Sequence, residues 1–567
     1  MGGVGLRAFA VPDLWGENNM AKLDGQRIPA ANSSAPPTGA LATSERSGIS
    51  KGSDEPPVVR PGDSRYEDLN SGFNRRWVAR PDEIWLPSTA DEVLEAVQTA
   101  VDKGKRVTVC GGGHCFEDFV FNPDVELVIN MTRMDRVYFD AGYGAFAVEA
   151  GGTLLNVYEE LYHGWGVTIP AGACYSVGIG GHICGGGFGL LSRKHGLTVD
   201  HLYGVDVVVV NAEGRAERVI ATREEDDPNR ELYWAHTGAG GGNFGVVLRY
   251  LLRSPGADGT EPARALPAPP REVYAIELSW PWSGITREGF GGLVDFYGRW
   301  VVEHSDPGSA HASFCSWMSL NHKSNGKVTI LAQMDATVPG AADLVAEYVS
   351  AANRAIGLGG DVVVDPKANA PIVHEHSRIQ RLPWLRATRY IGTGSKDQTD
   401  PNTRGKQASA YLRKPFPQEH IDTIYEHLTD DSYSNTLAGL VIASLGAKIS
   451  TVDPVATAVA HRDSILKVSY ETYWYDPAED EDNIAWVRNL YGAVYADTGG
   501  VPVPNDVTDG CYINYPNGDI TDPRFNRSSV PWFELYYKSN YPRLQRVKSR
   551  WDPRNVFHHR QSVRPPH

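Results

Sequence analysis

Apolar positions along this chain fall into two rhythms, and the change between them divides it. Val93, Ala96, Val97, Ala100 and Val101 recur at i, i+3, i+4 spacing, which predicts a helix opened by Ser88-x-x-Asp91 and ended by Gly104. Short apolar runs on either side predict strands at 84–86 and 106–110, so the three make a β-α-β unit that delivers a glycine loop at a strand's carboxyl end. Further strands are expected at 125–130, 137–139 and 146–149. A helix then runs through Leu154, Leu155, Val157, Tyr158 and Leu161, with Thr153 as its cap. Residues 202–211 and 244–252 read as two more strands.

Beyond about residue 267 the texture changes. Long strand-like runs at 273–280, 327–335, 436–449 and 465–474 alternate with helical patterns at 287–302, 341–356, 419–428 and 483–496. Long strands interleaved with helices predict an antiparallel sheet covered by helices on one side, and so an α+β chain of two domains. Residues 365–417 read mostly as loop, and a basic helix is expected from Tyr541 to Lys548. The organisation implied is a disordered leader over 1–64, a first domain over 65–267, a second over 268–509, and a closing segment, 510–567, that returns to the first domain. The leader is rich in Pro, Ala, Ser and Gly, with Met20 as an alternative start.

Composition narrows the partners. At 567 residues the chain exceeds one comfortable core, in keeping with two domains. Its net charge of −15 argues against nucleic acid or an anionic membrane as main partner, because either needs a basic surface. No apolar run approaches the roughly 18 residues of a membrane span. The first residues lack the features of a secretory signal, which favours a soluble, cytoplasmic protein over a secreted one. Six cysteines in so long a chain do not make a disulfide framework.

The candidate chemistry lies in two glycine-dense stretches. One is Cys110-Gly111-Gly112-Gly113-His114-Cys115; the other runs from Cys174 through Gly178, Gly180, Gly181, His182, Gly185 and Gly186 to Gly189. Glycine leaves no Cβ in the way, so such runs serve where main-chain N–H groups crowd around an anion or a flat ring. Taken alone, His114 reads as a hydrogen-bonded loop residue or a ligand contact, and Cys174 as a small buried hydrophobe. His114, Cys115, Cys174, His182 and Cys184 lack the paired spacings of a zinc site, so no metal is expected. Gly240 to Gly245 formally fits G-x-G-x-x-G, yet it opens a strand and not the helix a dinucleotide loop requires. No phosphate-loop signature of the G-x-x-x-x-G-K-[ST] type occurs.

The order Gly-Gly-Gly-His114, Cys174, then Val-Gly-Ile-Gly-Gly-His-Ile-Cys-Gly-Gly-Gly-Phe-Gly resembles the berberine bridge enzyme-like group of the vanillyl-alcohol oxidase (PCMH-type) flavoprotein superfamily. So does the ending from Tyr536-Tyr537-Lys-Ser-Asn540 through Trp551-Asp-Pro-Arg-Asn-Val-Phe557 to Gln561-Ser562. The resemblance implies a PCMH-type FAD-binding domain, an antiparallel-sheet substrate domain, and FAD bonded twice. One bond is 8α-histidyl through His114; the other is 6-S-cysteinyl through Cys174. An imidazole and a thiolate are the nucleophiles such bonds need. Gly111, Gly112, Gly113, Cys115, Gly178, Gly180, Gly181, His182, Gly185, Gly186 and Gly189 are then expected around the cofactor. Val246, Tyr512, Asn514, Tyr537 and Asn540 complete the expected set.

The resemblance also places the chemical step. Tyr512-Ile-Asn514 is similar to the stretch whose tyrosine lies near flavin N5 in alcohol-oxidising members, which makes Tyr512 the candidate base. A phenol of pKa near ~10 is a poor base at neutral pH, so this role requires a lowered pKa; the plain alternative is a packing aromatic. On the strand 465–474, Ser469, Glu471 and Tyr473 alternate onto one face. Ser469 stands where amine-cyclising relatives place a glutamate, which points away from ring closure and towards alcohol oxidation, with Glu471 or Tyr473 assisting. His461 and Arg462 read equally as substrate contacts or as a surface turn. The expected function is oxidation of a secondary or hemiacetal alcohol to a ketone or lactone, with O2 as acceptor and H2O2 released. The substrate is expected to be a sugar, an oligosaccharide or a glycosylated or aromatic metabolite. A dehydrogenase that avoids O2 and a non-catalytic flavin-binding module are the alternatives.

Overall fold

The computed structural model describes residues 57–368, 370–392 and 400–566. Most of the expected leader, with Met20, lies outside them. Within them, order begins before the boundary drawn from composition, because Val58–Val59 (β1) already pairs antiparallel with Glu83–Trp85 (β2).

In the first sheet β2 runs parallel to Leu127–Asn130 (β4), which runs parallel to Val107–Cys110 (β3), in the order β1-β2-β4-β3. Helix Ala90–Asp102 makes the crossover from β2 to β3 and buries Val93, Ala96, Val97 and Ala100. Its cap is Thr89, one residue after Ser88, whose side chain accepts from the Glu92 N–H while Glu92 reaches back to the Ser88 N–H. Gly104, at φ +62°, closes it with a bond from its N–H to the Val101 carbonyl.

The second sheet is antiparallel throughout. It comprises Val137–Asp140 (β5), Ala145–Glu149 (β6), Leu202–Val210 (β7), Ala216–Thr222 (β8) and Val246–Leu252 (β9), in the order β5-β6-β9-β7-β8. Helix Leu154–Trp165 follows β6; Thr153 precedes it with extended backbone but makes no side-chain cap bond. The Gly240–Gly245 match leads into β9, a strand, as its sequence implied.

The third sheet has eight antiparallel strands. They are Glu272–Pro281 (β10), Cys315–Asn321 (β11), Lys327–Asp335 (β12), Ile372–His374 (β13), Ser377–Pro383 (β14), Arg404–Leu412 (β15), Ala438–Ser444 (β16) and Leu466–Trp474 (β17). Their order is β13-β14-β10-β12-β11-β16-β17-β15. Helices Arg287–Glu303, Ala341–Ile356, Gln418–Leu428 and Asp480–Val494 carry the apolar residues that cover one face, among them Leu293, Val345, Val349, Ile424 and Leu490. The other face looks towards the glycine loops.

Two expectations need correction here. Residues 365–417 are not mostly loop: they hold β13, β14, helix Trp384–Gly392 and β15; residues 393–399 lie outside the described set. The run at 436–449 is a shorter strand, because Gly446 takes φ +78° and turns the chain into a 3-10 turn over Ala447–Thr451. Among the described residues no helix is long and apolar enough to cross a membrane.

Candidate active site

Strand β3 ends at Cys110 and hands the chain to Gly111, Gly112 and Gly113. This loop crosses the second glycine stretch at Gly112 and Gly178, which approach so closely that a Cβ on either would overlap the other's backbone nitrogen. Only glycine fits at that crossing. It sets two distant side chains beside one hydroxyl: His114 Nε2 lies 2.8 Å from Ser176 Oγ, and Cys174 Sγ lies 4.0 Å from the same oxygen. The imidazole and the sulfur are therefore no further apart than those two distances together. Phe73 stacks on the His114 ring at 5.2 Å. Burial pushes the imidazole down to about 4, so it is neutral, and its Nδ1 is buried with no hydrogen-bond partner. Burial pushes the Cys110 and Cys115 thiols up to about 12, which keeps both protonated and unreactive. None of the six cysteines is in a disulfide.

His114, Cys174, Cys110 and Cys115 line a cavity of about 480 Å³, the size of a cofactor site. It extends from β3 and the 240–245 loop, past His114 and Cys174, to Phe188, Tyr512 and the inner face of the eight-stranded sheet. Gly111, Gly112, Gly113, Cys115, Gly178, Gly180, Gly181, His182, Tyr512 and Asn514 all line it. The donor set suits a flat ring bonded through nitrogen and sulfur: an imidazole nitrogen without a partner, a thiol beside it, and backbone with no Cβ to intrude. At Gly181 nothing lies within 4 Å of where a Cβ would stand.

The far wall carries the polar chemistry. Asn514 Nδ2 donates to the Tyr512 hydroxyl at 3.1 Å and to the His182 carbonyl at 3.0 Å, tying the closing segment to the second glycine stretch. Burial pushes the Tyr512 phenol above its ordinary value of 10, the reverse of what a lone base requires. Beside it stands Lys467, 2% exposed, whose Nζ lies 3.5 Å over the Phe188 ring, 3.8 Å over Tyr515 and 4.8 Å over Tyr512. That amine has no hydrogen-bond partner, and burial pushes its pKa well below 10.5. Further along β17, Glu471 Oε2 accepts from Ser469 Oγ at 2.8 Å and from Gln407 Nε2 on β15 at 2.9 Å. Gln407 Nε2 also donates to the Tyr473 hydroxyl at 2.7 Å. Glu471 lines the cavity; Tyr473 does not.

Several expected contacts lie away from the cavity and support its walls from outside. Gly185 makes room for Asn514, Gly186 for Val459 and Gly189 for the Ala171 carbonyl. Val246 is a core residue of β9, the Tyr537 hydroxyl donates to the Ala239 carbonyl, and the Asn540 amide donates to the Pro454 carbonyl. His461 and Arg462 do not form a surface turn, and neither lines the cavity. Both are buried: His461 bonds the Leu535 carbonyl and Arg462 pairs with Asp200 at 2.8 Å. The sequence reading missed Ser176, Phe188, Gln407, Lys467 and Tyr515. Of these only Lys467 left a legible signal, a lone cation in a strand of buried neighbours. The 240–245 loop, set aside as a chance motif, also lines the cavity.

Comparison with known proteins bears on this geometry. A family model described as FAD binding domain matches residues 81–219, and one described as berberine and berberine like matches 511–564. The aclacinomycin-N/aclacinomycin-A oxidase of Streptomyces galilaeus is 48% identical over 505 residues, 89% of this chain and 89% of that protein. This chain belongs to the berberine bridge enzyme-like family of FAD-linked oxidases. The hexose oxidase of Chondrus crispus is 34% identical over 538 residues, 88% of this chain and 93% of its own. The structure of a glycopeptide hexose oxidase complexed with teicoplanin superposes with a TM-score of 0.82 at 42% identity, covering 90% of this chain and 99% of the other. The protein is thus an FAD-dependent oxidoreductase acting on CH–OH groups, with the mixed helix-and-sheet fold of the vanillyl-alcohol oxidase superfamily.

Proposed function

We propose that this oxidase takes a secondary or hemiacetal alcohol of a sugar or of a glycosylated natural product, and that His114 and Cys174 hold its FAD covalently. The observation that carries the reading is the convergence of His114 and Cys174 on Ser176 at one end of a cavity whose other end holds Tyr512 and Lys467. The Streptomyces oxidase, the hexose oxidase and the glycopeptide hexose oxidase, each similar over most of the chain, support the substrate class. Because His114 Nε2 is engaged by Ser176, the buried, unpartnered Nδ1 is the ring nitrogen open to bond the cofactor. FAD, when bound, would supply a hydride acceptor at N5 and a route for the electron pair to O2, with H2O2 as product.

The residues of the far wall handle the proton. Tyr512 takes it from the substrate hydroxyl once its own phenolic proton has passed to the neutral Lys467 amine. A phenolate formed alone in this cavity would be an isolated buried charge, which burial disfavours. Lys467, over the faces of Tyr512 and Tyr515, becomes an ammonium as it takes the phenolic proton, which makes the phenolate one half of a pair. Asn514 steers the phenol by donating to its oxygen. In this reading residues 65–267 hold the cofactor, 268–509 the substrate, and 510–567 carry Tyr512 back between them.

The test is anaerobic mixing of the purified protein with a panel of oligosaccharides, sugar-decorated polyketides and glycopeptides. Loss of flavin absorbance with at least one, and its rapid return in air, is expected. A yellow protein that no panel member bleaches would rule the function out. Protein precipitated in acid should stay yellow and carry the mass of one FAD; colour left in the supernatant would rule out the covalent bonds alone.

A further inference from the structure

The cavity wall contributed by β15 and β17 holds a polar group that neither the fold nor the proton chemistry uses. Gln407 is 3% exposed, lines the cavity, and has an Oε1 without any hydrogen-bond partner. The direction of its amide is fixed. The neighbouring atom at 2.9 Å is Glu471 Oε2, a carboxylate oxygen that already accepts from Ser469, so only the amide N–H2 can face it. The second N–H is taken by the Tyr473 hydroxyl at 2.7 Å. With both donors spent inside the protein, the acceptor is left over. A buried amide oxygen without a donor costs about 1–3 kcal/mol.

The location is as telling as the orphaned atom. Gln407 stands directly opposite Glu471 in the β15–β17 ladder, and Ser409, two residues on, opposite Ser469. Ser409 Oγ accepts from the Tyr512 N–H at 3.1 Å and donates to the Tyr515 carbonyl at 3.0 Å, so the same strand face that presents Gln407 also seats the Tyr512–Tyr515 turn. The Glu471 carboxylate lies close enough to Lys467 and Tyr515 to bias the protonation of both. Gln407 Oε1 is thus an acceptor left over beside the Glu471 carboxylate, on the cavity wall that also carries Lys467.

The geometry points to a subsite in which Gln407 Oε1, with the Glu471 carboxylate, receives a second hydroxyl of the same sugar ring that Tyr512 deprotonates. This rests on the alcohol-oxidase reading and narrows its substrate to a polyhydroxylated pyranose. A leftover acceptor selects for ring hydroxyls, because a deoxy sugar leaves Gln407 Oε1 buried and unpaired while a hydroxylated one satisfies it.

The test compares D-glucose with its 2-, 3-, 4- and 6-deoxy analogues, each mixed anaerobically with wild-type holoenzyme and with Gln407→Met, which keeps the side chain's length without the amide. The wild type is expected to be reduced by D-glucose roughly 10- to 100-fold faster than by at least one deoxy analogue, the range a single unpaired buried acceptor supports. In Gln407→Met that ratio should fall to about 1–3, a change that a general loss of folding or activity does not produce. Gln407→Leu and the bound-flavin spectrum of each variant guard against a misfolded preparation. A slowing by the same factor for all five sugars would make Gln407 a mere support for Glu471 and Tyr473 and overturn the subsite. Should no sugar reduce the wild type, the oxidase reading fails by itself, and equilibrium binding followed through the flavin spectrum decides the subsite. Binding of D-glucose weakened about tenfold or more by Gln407→Met, with deoxy-sugar binding less affected, would keep it; no binding, or equal weakening, would overturn it.

Discussion

Two residues of the far wall each stand in a protonation state that makes little sense alone. Burial raises the Tyr512 phenol and lowers the Lys467 amine, so each prefers neutrality, yet the proposed step requires a charge on the phenol. A base and a cation paired in one cavity act as a unit, and groups that act as a unit are not additive. Tyr512→Phe should slow anaerobic flavin reduction by roughly 10²–10⁴-fold. Lys467→Met should slow it substantially too, and the double variant should be little worse than Tyr512→Phe. Stopped-flow rates on the three variants check this; effects that multiply would separate the two residues. At the other end of the cavity, Cys174→Ala should keep its flavin through His114 but be reduced more slowly. Acid precipitation and the same rate measurement test both halves. That His114, Cys174 and Tyr512 would stand around one cavity was legible because their motifs are long. Ser176 and Gln407 were not, because a serine in a glycine run and a glutamine in a strand are common residues that only the pairing makes special.

At the scale of the element, β15 is one of the strands that went unrecognised, and it stands at the site. β15 reads Arg-Gly-Lys-Gln-Ala-Ser-Ala-Tyr-Leu, and its polar residues look like loop. They are buried because both faces meet polar partners as well as hydrocarbon. One presents Gln407 and Ser409 to the cavity and the Tyr512 turn. The other buries Lys406, whose Nζ lies 2.9 Å from Glu117, 3.1 Å from Asp519 and 2.8 Å from the Asn517 side-chain oxygen. Glu117 follows His114 by three residues in the chain and also accepts from the Gly518 N–H at 3.1 Å. This network joins the histidine loop, the substrate sheet and the closing segment at one point. Removing one partner of a buried pair leaves the other charge uncompensated, at about 3–5 kcal/mol. Lys406→Met should therefore lower the denaturant midpoint strongly, and adding Glu117→Gln should restore part of the loss. A double variant less stable than Lys406→Met would show that the network does not depend on that pairing.

Over the whole molecule the same habit recurs: polar groups are buried and satisfied by backbone, which ties stability to pH. His201, His236 and His461 are each 5% exposed or less, and each bonds one ring nitrogen to a carbonyl, of His195, Leu232 and Leu535 respectively. Burial lowers all three below 6.5, His236 to about 4 and His461 well below 6.5. His182, in the cavity wall, is likewise pushed down to about 4 by burial, with Lys467 adding to it. Unfolded, these imidazoles take up protons near pH 6.5; folded, they refuse them until far lower. Between those limits the unfolded chain binds more protons, so stability rises with pH there. Their contribution is fully present above about pH 6.5 and is lost as pH falls towards the folded values near 4. The melting temperature of the holoprotein should be nearly flat from pH 8 to 7 and fall steadily from about pH 6.5 downward, well before the carboxylates titrate at their ordinary values near ~4. His236→Gln, which cannot titrate, should flatten part of that slope. A melting temperature that holds level to pH 5 would mean that these histidines are not buried as neutral rings, and that the packing around the closing segment and the second glycine stretch differs from that described.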